Sequence, residues 1–158
     1  MSVLPAEALL DQPPLDPAEV VELEGLVART LRTHASVVLC QAEAVTLLEA
    51  VAGSVAGPGN RVLNVVSGPY GSMSGGWLRR TGANVFDLVV DQQGLSEGAF
   101  REALRGMDTV ALTQAEAATG ANVELAALLA VARESGVLTV VDAVAAIGAE
   151  PNAVDDWG

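Results

Sequence analysis

The stretch Thr109-Val110-Ala111-Leu112-Thr113 is apolar between its two threonines, and after a helical pattern over residues 123–135 the chain runs apolar again at Leu138-Thr139-Val140-Val141. Strands that are apolar along their whole length, separated by a helix, belong to a parallel sheet buried on both faces. The same beat recurs along the chain. Residues 37–40, 62–66 and 85–90 read as strands, and residues 42–55, 72–80 and 97–105 as helices. Gly57-Pro58-Gly59 stops one of these helices, and Gly82, Gly106 and Gly136 fall where a helix end needs a left-handed residue. Nearer the start, Asp16-Pro17-Ala18-Glu19 offers an N-cap, a proline at the first helical position and a capping-box glutamate. A helix is expected from there to about residue 32, with Val20, Leu23, Val27 and Leu31 as one buried stripe. The reading is an α/β fold with a mostly parallel sheet of about five strands and helices on both faces. Residues 1–158 form a single domain, of which 1–15 are an irregular Pro-rich lead containing Pro5, Pro13 and Pro14. Residues 155–158 follow a strand and a loop, so the sheet is expected to be incomplete at that end.

With 158 residues, 51% of them hydrophobic, the chain can bury a core without disulfides or metals. The net charge of -12 repels phosphate backbones and anionic lipid heads, so neither nucleic acid nor membrane is an expected partner. All eight basic residues are arginine, and the sequence contains no lysine. Cys40 is the one cysteine and reads as a small buried hydrophobe in a reduced compartment. Residues 1–10 fit neither a signal peptide nor a membrane span, which makes a cytoplasmic protein the expectation.

In an open parallel sheet ligands bind beyond the carboxyl ends of the strands. Four segments fall there, residues 41–44, 67–76, 114–120 and 142–148. Segment 67–76 lacks the G-x-G-x-x-G pattern of dinucleotide binding; it can be a flexible connection or an anion-binding nest, and the abundance of acidic residues favours the flexible connection. His34 is the sole histidine, so neither a metal site nor a Ser-His-Asp set can be assembled.

The run Thr113-Gln114-Ala115-Glu116-Ala117-Ala118-Thr119-Gly120, followed by a helix and then Val140-Val141-Asp142-Ala143-Val144, resembles the class V aminotransferases of the alanine-glyoxylate type. Gly68-Pro69-Tyr70-Gly71 resembles the Gly, any residue, aromatic, Gly stretch of that family. The resemblance runs from about residue 37 to 158. It implies the large domain of a fold-type-I enzyme and pyridoxal phosphate as cofactor. By it, Asp142 pairs with the pyridine nitrogen, Tyr70 stacks on the ring, and Glu116, Thr119 and Val144 stand around the cofactor. Each residue also has a plainer reading. Asp142 can cap the turn that follows it, Tyr70 can be an ordinary half-buried ring, and Glu116 can be a turn or helix-cap carboxylate.

The departures bear on function. Where the family has a Ser/Gly/Thr-rich phosphate turn, this chain has Gln41-Ala42-Glu43-Ala44-Val45, and Glu43 would repel a phosphate dianion. Ala117 and Ala118 stand where hydroxyl residues are common. The Schiff-base lysine is missing. The expectation is a class V aminotransferase-like subunit with no catalytic residue of its own, non-catalytic or half-site, acting as a homodimer or with a second aminotransferase-like chain. The alternative is the cofactor-binding piece of a split pyridoxal enzyme whose lysine comes from another polypeptide.

Overall fold

The structure, a computed structural model, describes residues 15–90 and 94–158. The Pro-rich lead falls almost entirely outside the described residues. Element order is α1 (Pro17–Thr30), α2 (Ala44–Val55), β1 (Arg61–Val66), α3 (Pro69–Arg80), β2 (Asn84–Val89), α4 (Glu97–Ala103), β3 (Thr109–Thr113), α5 (Leu125–Glu134), β4 (Leu138–Asp142) and α6 (Val154–Trp157). The four strands pair in parallel in the order β2-β1-β3-β4. One side of the sheet packs Trp77 and Leu78 of α3 and Ala52 of α2 on Val62 and Ala111. The other packs Phe100 and Leu104 with Leu128, Val131 and Ala132 of α5 on Leu63, Val65, Val110 and Leu112. Alternate residues of β1 and β3 thus enter opposite cores, and for that reason apolar side chains recur on both faces of each strand.

The local signals act as their chemistry dictates. Asp16 accepts bonds from the Ala18 and Glu19 amides at 2.8 and 2.9 Å, and the Glu19 carboxylate in turn accepts one from the Asp16 amide at 2.9 Å. Gly82, Gly106 and Gly136 take positive φ of 87°, 70° and 67°. No helix among the described residues is long and apolar enough to cross a membrane.

Four expectations are corrected. Residues 37–40 are not a strand, so the sheet among the described residues has four strands; the segment finds no neighbour among them to complete a ladder, and Val38 is 80% exposed. Cys40 is exposed rather than buried, because it belongs to that same uncovered segment. The α1 stripe is not buried either: no residue of α1 is, since nothing among the described residues covers the face carrying Leu23. Finally, residues 67–76 are not a flexible connection but mostly helix, with α3 beginning at Pro69. Gly71, Gly75 and Gly76 lower its intrinsic propensity and hide it from a propensity reading. Tertiary contact supplies the compensation. A Cβ on Gly71 would lie 3.1 Å from both the Val65 carbonyl oxygen and Val66 Cα, so glycine lets α3 sit directly on β1.

Candidate functional site

The chain leaves β1 toward β2 on one side and later adds β3 on the other, so the direction of winding changes between β1 and β3. A crevice opens at such a switch, at the carboxyl ends of the strands. There the structure has a cleft of about 240 Å³. Its walls come from the start of α2 (Glu43, Ala44, Val45, Leu48), the start of α3 (Tyr70), the end of β3 and its loop (Thr113, Ala115, Ala117) and the end of β4 (Asp142, Val144, Ala145).

Asp142 closes β4, and its Oδ1 accepts the Val144 amide at 2.9 Å, a short turn that fixes the carboxylate at the cleft. The capping reading and the cleft-facing reading of Asp142 are therefore compatible. Tyr70 is the second residue of α3 and is 38% exposed at the cleft wall. Val144 lines the same wall. Of the five residues singled out in the sequence, these three come together.

Glu116 and Thr119 do not line the cleft. Thr119 is exposed on the tip of the loop after β3, where its hydroxyl accepts the Ala121 amide at 3.3 Å. Glu116 is 1% exposed. Its Oε2 accepts the Tyr70 amide at 3.0 Å and the Gly71 amide at 3.4 Å, and its Oε1 accepts the Ala118 amide at 3.3 Å. It is thus a helix cap delivered from a distant loop, neutralising the free amides and positive end of α3.

Sequence reading passed over Asn64, the polar residue between Leu63 and Val65 in the middle of β1, although a polar side chain within an apolar run was the signal to follow. It is 1% exposed and donates to the Gly71 carbonyl at 3.1 Å and to Asp87 at 2.9 Å, tying α3 to both β1 and β2. Asn64 Oδ1, Ser67 Oγ and Gln114 Oε1 are buried without a hydrogen-bond partner among the described residues. All three lie in, or just after, the two strands that border the crevice.

A doubly covered parallel sheet whose switch-point cleft holds a strand-end aspartate and an aromatic side chain places the chain with the large domains of fold-type-I pyridoxal-phosphate enzymes. Residues 33–158 match the family model for aminotransferase class-V, and the chain belongs to that family. Alanine-glyoxylate aminotransferase from Nostoc sp. is 28% identical with a TM-score of 0.84, over 96% of this chain and 43% of that one. Ureidoglycine-glyoxylate aminotransferase from Bacillus subtilis is 25% identical with a TM-score of 0.85, over 96% and 42%. Pyridoxamine-pyruvate aminotransferase from Mesorhizobium loti is 25% identical with a TM-score of 0.83, over 96% and 42%. The chain spans less than half the length of these structures. No match was found among curated proteins.

The cleft residues fit one half of pyridoxal phosphate. A carboxylate, an aromatic side chain and the apolar walls of Val45, Leu48 and Val144 suit a pyridine ring. The phosphate half is not matched. Glu43 is the N-cap of α2, its side chain makes no capping bond, and no arginine lines the cleft. A phosphate dianion at that helix end would meet a carboxylate where it needs free amides.

Proposed function

We propose that this chain supplies the ring-binding face of a class V aminotransferase-type site and is not competent for transamination by itself. The observation that carries this reading is the pairing of a retained ring side, Asp142 and Tyr70, with Glu43 at the phosphate side, in a sequence without lysine. When bound, pyridoxal phosphate would supply an electron sink for carbanions at an amino-acid carbon. Asp142 would hold the proton on the ring nitrogen, Tyr70 would cover one ring face, and the apolar walls would keep water from it. The amine that carries the cofactor in this family must come from residues outside these 158. That amine belongs either to a continuation of this polypeptide or to a second one, the split-enzyme reading.

A partner is part of the proposal. Among the described residues, strand β4 is an edge of the sheet with Leu138 53% exposed, and edge strands offer unpaired backbone groups to another chain. Beside it, Val144, Ile147, Val154 and Trp157 line an open apolar groove of about 670 Å³. We take the partner to be a second copy or another aminotransferase-like chain, in the cytoplasm.

Two measurements test this. Borohydride reduction after mixing with pyridoxal phosphate should label only the N-terminus in peptide maps, and an adduct at an internal residue would show that a nucleophile has been overlooked. Light scattering coupled to size exclusion at micromolar concentration should give a mass above that of the 16.1 kDa chain. A well-folded monomer would refute the partner.

A further inference from the structure

We infer that Glu116 is a positioning residue: without touching the ligand, its buried carboxylate sets where Tyr70 stands at the cleft. The inference rests on the reading that Tyr70 lies against the bound ring.

Glu116 reaches from the loop after β3 to the first turn of α3, and the amide it binds at 3.0 Å is that of Tyr70 itself. A displacement of this carboxylate therefore displaces the backbone that carries the ring. The base from which it reaches is rigid. The Glu116 amide donates to the Ala121 carbonyl at 2.8 Å, its carbonyl accepts the Gly120 amide at 2.8 Å, and Ala115 forms an antiparallel bridge with Asn122. On the receiving side, Gly68 makes the approach possible. The three atoms nearest to a Cβ built there would all be Glu116 atoms, at 2.3, 2.6 and 2.7 Å. The φ of Gly68 is 171°, extended backbone open to any residue, so space rather than conformation demands glycine here.

An uncompensated buried carboxylate is costly, whereas one accepting several amides at a helix N-terminus is stabilised by them. The tie is therefore stiff, and Tyr70 begins α3 at one defined place beside the cleft that Asp142 closes. Pro69 fixes φ at the first helical position, leaving the Tyr70 amide as a free donor aimed at Glu116.

Tyr70 is the only tyrosine, so protein grown with 3-fluorotyrosine gives one ¹⁹F resonance that reports this ring alone. Glu116→Gln keeps the reach and an acceptor oxygen, whereas Glu116→Asp keeps the charge and shortens the arm by one methylene. The Gln variant should leave the resonance in place, and the Asp variant should shift or broaden it, with far-UV circular dichroism unchanged in both. Added pyridoxal 5′-phosphate should move the resonance in the parent and the Gln variant, and at least severalfold less at equal concentration in the Asp variant. An unmoved resonance in a folded Asp variant overturns the inference. So does unfolding of both variants, which would make Glu116 a support of the whole fold rather than of Tyr70. A resonance that responds to the Asp substitution but to no concentration of pyridoxal phosphate supports the positioning role and refutes the reading of Tyr70 as the ring's partner.

Discussion

Replacing Gly68 by alanine should be among the most damaging single-methyl additions in this chain, and the damage should vanish when Glu116 is shortened. The added Cβ would stand 2.3 Å from Glu116 Cγ, where carbon contacts normally open at about 3.5–4.0 Å. The backbone at Gly68 is extended and precedes proline, a conformation alanine adopts without strain. The glutamate must therefore leave, and with it go its bonds to the Tyr70 and Gly71 amides. Bonds to charged groups contribute about 1.5–3 kcal/mol each, and helix caps about 0.5–2 kcal/mol. With water recovering part of the loss at the freed helix end, Gly68→Ala should cost about 2–4 kcal/mol. In a Glu116→Ala background the same methyl meets an empty space, and the lower entropy of the unfolded chain favours it by about 0.4–1 kcal/mol. Urea unfolding of the four proteins in the cycle measures the difference, which should be a coupling of at least about 2 kcal/mol. Additivity within about 0.5 kcal/mol would show that the close approach of Gly68 and Glu116 does not exist in solution.

Other outcomes follow from single residues. Glu43→Gly removes a carboxylate from the N-cap of α2 at little cost to the helix, since glycine is tolerated there, and should tighten pyridoxal phosphate binding about tenfold in calorimetric titration. Tight binding indifferent to Glu43 would overturn the account of that turn. Asp155 accepts a bond from the Thr33 hydroxyl at 2.5 Å and one from the His34 amide at 2.9 Å, and these hold its carboxyl below the usual carboxylate value. A depressed folded-state pKa stabilises the protein above the unfolded value of about 3.9 and ceases to do so as pH falls through the folded one. Wild type should thus be more stable than Asp155→Asn at pH 6, with the gap closing below about pH 4 in thermal melts. A gap that does not narrow at all as pH falls below the unfolded value would remove the titration from the explanation.

The legible part of this protein was the part written in local chemistry. The capping box at Asp16, the helix stops at Gly82, Gly106 and Gly136, and the apolar runs of β1 and β3 each depend on neighbours within a few residues. The motif spacing that marks the family is equally local, and it led to Asp142, Tyr70 and Val144, which share one cleft. Where the sequence misled, a local signal had been overruled by distance. The run at 37–40 has strand composition but no ladder to join, and the glycine-rich 69–80 has poor helix propensity but a sheet to lie on.

Sequence alone determined the class of fold, the acidic surface and the absence of a lysine, because composition and periodicity need no knowledge of who meets whom. That Glu116 turns away from the cleft and caps a helix whose first amide is forty-six residues distant in the chain emerges from the packing of distant segments. A carboxylate follows the nearest unsatisfied donors, and in a parallel sheet those donors are supplied by the neighbouring strand's loop, which sequence order does not reveal.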